Sequence, residues 1–163
     1  MIFVTVGTHE QQLNRLVEYM DKWAMQHDEE VVIQTGYSTY EPKHCVWEKF
    51  FPYQKMVKMV EEARVIITHG GPSSFIMPLQ LGKTPIVVPR QKTYEEHVNN
   101  HQVKFCKEVE SRMGNIVVVD KIDSLSAIIK NYDKIQKEGK HMSNNKLFCK
   151  EFERIVDEMF EEI

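Results

Sequence analysis

Three stretches of this sequence hold residue types that handle phosphates, hydroxyls and protons. The first is Gly7-Thr8-His9-Glu10. The second is Thr68-His69-Gly70-Gly71-Pro72-Ser73-Ser74. The third runs from Arg90-Gln91-Lys92 through Glu95-Glu96-His97 to Asn99-Asn100-His101-Gln102. In the second stretch, two glycines let the backbone come close to a ligand, and a helix starting at Pro72-Ser73 aims its free N–H groups at that point. That geometry suits an anion, and in an α/β protein usually a phosphate. A turn that merely connects two elements fits the same residues. In the first stretch, Gly7 permits close approach, and Thr8 can cap a helix or bond a phosphate oxygen. His9 and Glu10 are both capable general bases. The plainer reading makes Thr8 an N-cap and leaves His9 on the surface. In the third, Gln102 interrupts an apolar stripe of Val98, Phe105 and Val109. A polar residue on an inward face needs partners, which sugar hydroxyls would supply. A helix start with a solvated face is the alternative.

Such loops act together only if a frame brings them to one place. Ile2 to Val6 reads as a strand, and Gln11 to Met25 as a helix with Leu13, Leu16, Val17 and Met20 at helical spacing. Glu30 to Thr35 is a strand, with a short one near Cys45 to Trp47. Pro52 to Glu62 is a helix and Val65 to Thr68 a strand. Ser73 to Leu81 is a helix and Pro85 to Val88 a strand. Glu95 to Val109 is a helix with Val98, Phe105, Cys106 and Val109 inward. Ile116 to Val119 is a strand and Asp123 to Ile135 a helix. A last helix, about 145–160, carries Phe148, Phe152, Ile155 and Met159. This alternation predicts an α/β fold, a Rossmann-like parallel sheet with helices on both faces. Ligands of such sheets bind at the carboxyl ends of the strands, where all three loops fall.

Composition narrows the classes. The 163 residues suffice for one domain, 1–163, with no repeat and no linker. A formal net charge of -3 gives no electrostatic case for nucleic acid. Cys45, Cys106 and Cys149 are far apart in sequence and form no CxxC; Cys106 and Cys149 read as buried thiols of a reducing compartment. The N-terminal apolar run is too short for a signal peptide, and no run approaches the roughly 20 apolar residues of a membrane span. The expectation is a soluble, cytoplasmic chain. No GxGxxG, GxxxxGK[ST] or GxSxG occurs. His97 and His101 are spaced i, i+4, yet no HExxH accompanies them and no Asp-x-Asp is present, so no metal site is expected.

The ordered motifs GTHE, THGGPSS, LGKTPIVVPRQ and EHVNNHQ resemble the C-terminal half of GT-B glycosyltransferases of family 28. They are similar in particular to short catalytic subunits of two-part bacterial capsule and exopolysaccharide β-1,4-galactosyltransferases, and to the catalytic subunit of the eukaryotic dolichol-linked N-acetylglucosaminyltransferase. The likeness covers about residues 1 to 120. It implies a donor site for a UDP-sugar as co-substrate, with no cofactor and no metal. By this resemblance Gly70, Gly71, Ser73 and Ser74, with His69, lie near the nucleotide or diphosphate. Gly7 and Thr8 line the diphosphate side; as general bases on the same loop, His9 or Glu10 is the expected catalytic base. His101 and Gln102 touch the donor sugar, and Arg90 begins the loop that closes its pocket.

One position departs from the pattern. The family's ribose-holding glutamate falls, in this register, on Met77. Methionine accepts hydrogen bonds only weakly, which leaves room for a non-catalytic nucleotide-sugar-binding or assembly subunit. The resemblance also implies a missing half: a membrane-anchored acceptor-binding subunit, a lipid-linked saccharide as acceptor, and a place at the inner membrane face through that partner. An isolated half carries apolar surface for self-association as a homodimer.

Overall fold

The computed structural model describes residues 1–139 and, beyond them, 149, 150, 153 and 154. Strands β1 (Ile2–Thr5), β2 (Val31–Gln34), β3 (Val46–Glu48), β4 (Val65–His69), β5 (Ile86–Val88) and β6 (Val117–Val118) alternate with helices. These are α1 (Asn14–Met25), α2 (Tyr53–Glu62), α3 (Pro72–Gln80), α4 (His101–Met113), α5 (Leu125–Lys130) and α6 (Tyr132–Glu138). The six strands form one parallel sheet in the order β3-β2-β1-β4-β5-β6, the order of a doubly wound Rossmann sheet. Ile2 of β1 pairs with Val31 on one side and Val65 on the other. The point where the strand order reverses therefore lies between β1 and β4, and a crevice opens there above the carboxyl ends.

β1 and β4 are buried on both faces because apolar residues alternate across them. Val4, Ile67 and Ile86 face α1 and α5, packing with Leu16, Met20, Leu125 and Ile129. Phe3 and Ile66 face the other way, onto Phe51, Val60 and Ala63. A third cluster joins Phe75, Val87, Cys106 and Ile116 under α4. Lys83 ties α2 to the β5 side. Its ammonium donates to the carbonyls of Val60, Glu61 and Ala63, at 2.7, 2.5 and 2.8 Å, where a helix C-terminus leaves acceptors unpaired.

The structure moves several expected boundaries. α1 starts at Asn14, not Gln11. Thr8 is thus no N-cap, and the loop after β1 runs three residues further. The helix expected from Glu95 starts at His101, and Val98 is 73% exposed instead of inward. A single 3₁₀ turn at Lys92–Tyr94 and a left-handed Glu95 (φ 56°) occupy the gap. The helix expected over 123–135 is broken at Asn131 into α5 and α6, where Tyr132 turns inward and its hydroxyl donates to Thr84 O at 2.7 Å. Cys106 is buried as expected; Cys149 is exposed. The expected helix over about 145–160, with Phe148, Phe152, Ile155 and Met159, lies outside the described residues but for four. Among the described residues no helix is long and apolar enough to cross a membrane.

Candidate functional site

At the reversal point lies a cleft of about 790 Å³. Its polar wall comes from the loop after β1 (Gly7, Thr8, His9, Glu10), the turn after β4 (His69, Gly71, Ser73, Ser74), and His97 and Gln102 from the third loop and α4. Its apolar wall comes from Phe51, Tyr53, Met56 and Val60, with Ile66 and Met77. Nine of the twelve residues singled out in the sequence thus line one space. Gly70, Arg90 and His101 do not.

The glycines do a different job from the one their sequence suggested. A Cβ on Gly7 would overlap the imidazole of His69, and so would one on Gly71. The ring fills the room both glycines leave, so it, and not a ligand, is what approaches their backbone. Gly7 also needs its φ of 77°, which side chains rarely adopt. Gly71 has φ -80°, so only the ring requires glycine there. A Cβ on Gly70 would lie 2.9 Å from Gln102 Oε1 and 3.0 Å from Cys106 Sγ.

His69 is 7% exposed and fully engaged. Its Nδ1 accepts from Gly71 N–H at 3.0 Å and lies 3.0 Å from Arg90 Nη1. Its Nε2 lies 2.8 Å from Ser74 Oγ. Burial, helped by the Arg90 charge and then by His9, pushes its pKa down to about 3, so the ring is neutral in ordinary buffers. The Gly71 amide is thereby spent inside the protein, and Ser74 N–H is spent on Gly71 O at 3.1 Å. Pro72 has no N–H, which leaves the Ser73 amide and the two serine hydroxyls as the donors α3 offers to the cleft.

Arg90 is 0% exposed and stands behind the wall. Its guanidinium donates to the carbonyls of Val6 (2.9 Å), Gln11 (2.8 Å) and Gln12 (3.3 Å). Those carbonyls are therefore turned away from any helix, which is why α1 cannot begin at Gln11. Arg90 thus cannot contact a ligand in this arrangement, contrary to its expected place on the sugar loop. Its pKa is lowered by burial to about 10, so it stays charged at neutral pH.

Gln102 shows why an inward glutamine belongs on α4. Its Oε1 accepts from Arg90 N–H at 3.0 Å. That bond orients the amide, so its NH₂ is the group left to meet a ligand. His101 is exposed and away from the cleft because α4 begins with it. His97 stands on the wall instead, with Nδ1 accepting from Asn99 N–H at 3.3 Å. It precedes α4, so the i, i+4 pairing with His101 on one helix face does not exist. His9 and Glu10 are exposed on the cleft's lip. The apolar wall was missed in the sequence because Met56 and Val60 belong to the packing face of the expected helix 52–62, and Phe51, just before it, drew no notice; all three also pack in the core. Met77 joins that face beside Met56 and Met59.

Comparison with known proteins places the chain. Residues 1–159 match the model of the glycosyltransferase family 28 C-terminal domain. Over 119 residues, 66% of this chain, it is 29% identical to the UDP-N-acetylglucosamine transferase subunit ALG13 of Mus musculus, and spans 10% of that protein. Among solved structures it is similar to the glycotransferase of kitacinnamycin, with a TM-score of 0.63 and 17% identity, over 83% of this chain and 36% of that one. That likeness concerns the fold.

Proposed function

The chain belongs to the glycosyltransferase family 28 C-terminal domain family, and from that premise we propose that it is the donor-binding catalytic subunit of a two-part inverting glycosyltransferase. The donor is a UDP-sugar, with galactose the hexose. The acceptor is a lipid-linked saccharide of capsule or exopolysaccharide synthesis, held by a membrane-anchored partner that keeps this chain at the inner membrane face. The observation that carries this reading is the two-sided cleft at the switch point. An apolar wall of Phe51, Met56 and Val60 suits a flat base. The α3 N-terminus, with Ser73 and Ser74, suits a diphosphate. The Gln102 amide and His97 suit sugar hydroxyls.

In this mechanism the departing UDP develops negative charge beside Ser73, Ser74 and the positive end of α3. Donors fixed in place before reaction stabilise that charge without a metal. The acceptor hydroxyl enters from the open side and loses its proton to His9 or Glu10 on the lip. The mouse relative is named as a transferase subunit, and that description supports a division of labour with a second chain. Met77 favours a second reading, a nucleotide-sugar-binding or assembly subunit without turnover, because no carboxylate stands where the family's ribose ligand is expected.

Turnover in the reconstituted pair tests the first reading. His9→Ala or Glu10→Ala is expected to lower kcat by about 10²- to 10⁴-fold, the usual contribution of a general base. If both variants keep wild-type kcat, the base lies elsewhere. If the wild-type pair binds UDP and transfers nothing, the second reading replaces the first.

A further inference from the structure

We propose that Arg90 is a positioning residue: through His69 it turns the hydroxyl proton of Ser74 into the cleft, so that Ser74 is set to meet a ligand as a hydrogen-bond donor. The inference follows from which atoms can give a proton and which cannot. Arg90 Nη1 and the Gly71 amide both converge on His69 Nδ1, each at 3.0 Å. Neither has a lone pair to offer. Nδ1 must therefore carry the ring's lone pair, and the neutral ring holds its proton on Nε2. Nε2–H then donates to Ser74 Oγ across 2.8 Å. Having accepted, Ser74 keeps its own proton to give away. Among the described residues it has no other side-chain partner, and it lines the cleft.

Direction matters because ligand groups differ. A sugar hydroxyl can answer either a donor or an acceptor. A phosphoryl oxygen can only accept. A serine held as a donor at a helix N-terminus is matched to the second group. Arg90 enforces this from a fully buried position, with its remaining donors fixed on Val6, Gln11 and Gln12 carbonyls. It therefore acts on the ligand without touching it. The identity of the ligand rests on the donor-site reading above; the direction of the proton does not.

Ring ¹⁵N spectra of His69 in the full, ligand-free chain test the relay directly. A protonated Nε2 and a bare Nδ1 are expected, and a protonated Nδ1 overturns the proposal. Arg90→Lys keeps the charge and a donor, and should keep the tautomer; Arg90→Met should give a mixture. A folded Arg90→Met chain that stays wholly Nε2-protonated removes Arg90 from the role. Should Arg90→Met not fold, Ser74→Ala decides, since among the described residues that side chain bonds only His69. Its affinity for UDP should fall roughly 10- to 150-fold, as for a lost bond to a charged group, with affinity for uridine unchanged. An unchanged UDP affinity, or an equal loss with uridine, overturns the proposal. If the wild-type chain binds neither probe, the donor-site reading fails, and the ring spectrum still decides the relay.

Discussion

At the scale of single residues, His69 combines near-complete burial with partners at both ring nitrogens. Its pKa is lowered from an ordinary 6.5 to about 3, by burial first, then by Arg90 and His9. A group depressed in the folded state binds its proton more readily when unfolded. Its contribution to stability is therefore complete above pH 6.5 and is lost as pH falls toward 3. Across that window the folded chain should lose about 1.4 kcal/mol per pH unit on account of this one ring. Urea unfolding at several pH values, wild type against His69→Gln, reads the difference; parallel pH dependences would sink the assignment. The two glycines that enclose the ring separate backbone strain from crowding. Gly7→Ala meets both, whereas Gly71→Ala meets only the ring, because its φ is ordinary. Gly71→Ala should therefore displace His69 while costing the fold about 1–3 kcal/mol, in the range of an overpacked site. Gly7→Ala should cost more, since a side chain at a left-handed position adds about 1–2 kcal/mol. Denaturant midpoints of the two variants check this order.

At the scale of elements, two arginines fasten the loop after β1 to the loop after β5. Arg90 holds carbonyls; Arg15, from the first turn of α1, holds Glu96. Arg15 Nε and Nη2 each lie 2.9 Å from a Glu96 oxygen, and Glu96 also accepts from Gln91 N–H at 3.0 Å. Arg15 lies over the Tyr94 ring at 4.6 Å as well. Glu96 is 1% exposed, so removing its partner leaves a buried charge alone. Arg15→Met should destabilise by about 3–5 kcal/mol, and Arg15→Met with Glu96→Gln should recover part of it. A double variant as unstable as the sum of the two singles would mean the pair is not coupled. These fastenings also explain what the sequence concealed. Strand identities were legible because β-branched runs such as Val65-Ile66-Ile67 have no other use. The helix starts were not, because α1 begins only after Arg90 has taken the Gln11 and Gln12 carbonyls, and that residue is some 80 positions away. The start of α4 could have been read: Asn99-Asn100 is a cap-forming pair, and Asn99 Oδ1 accepts from His101 N–H at 2.9 Å. The polar half of the cleft was legible from glycine, serine and histidine types in three loops. The apolar half was hidden by its double use as packing for Phe3 and Ile66.

At the scale of the whole molecule, both walls of the cleft come from this chain. The apolar and polar sides belong to one sheet and its helices, and the lip bearing His9 and Glu10 faces outward. A chain that spans 36% of a structurally similar glycosyltransferase and 10% of the mouse subunit corresponds to a part of each. On the two-subunit proposal, binding and turnover should separate. Each wall the proposal uses for nucleotide lies within this chain, so the isolated chain should bind UDP on its own. A ligand that binds only the folded state stabilises it by about 2.7 kcal/mol at a concentration of 100 Kd. For a domain of this size that amounts to a rise in Tm of roughly 5–11 °C. The wall composition predicts how the rise divides. Phe51→Ser should reduce it for UDP and uridine alike, because the base loses its apolar face, whereas Ser73→Ala should reduce it for UDP alone. Thermal unfolding of the isolated chain with each ligand measures both. A rise with UDP that neither substitution alters would place the nucleotide outside this cleft, and the donor-site assignment would fall with it.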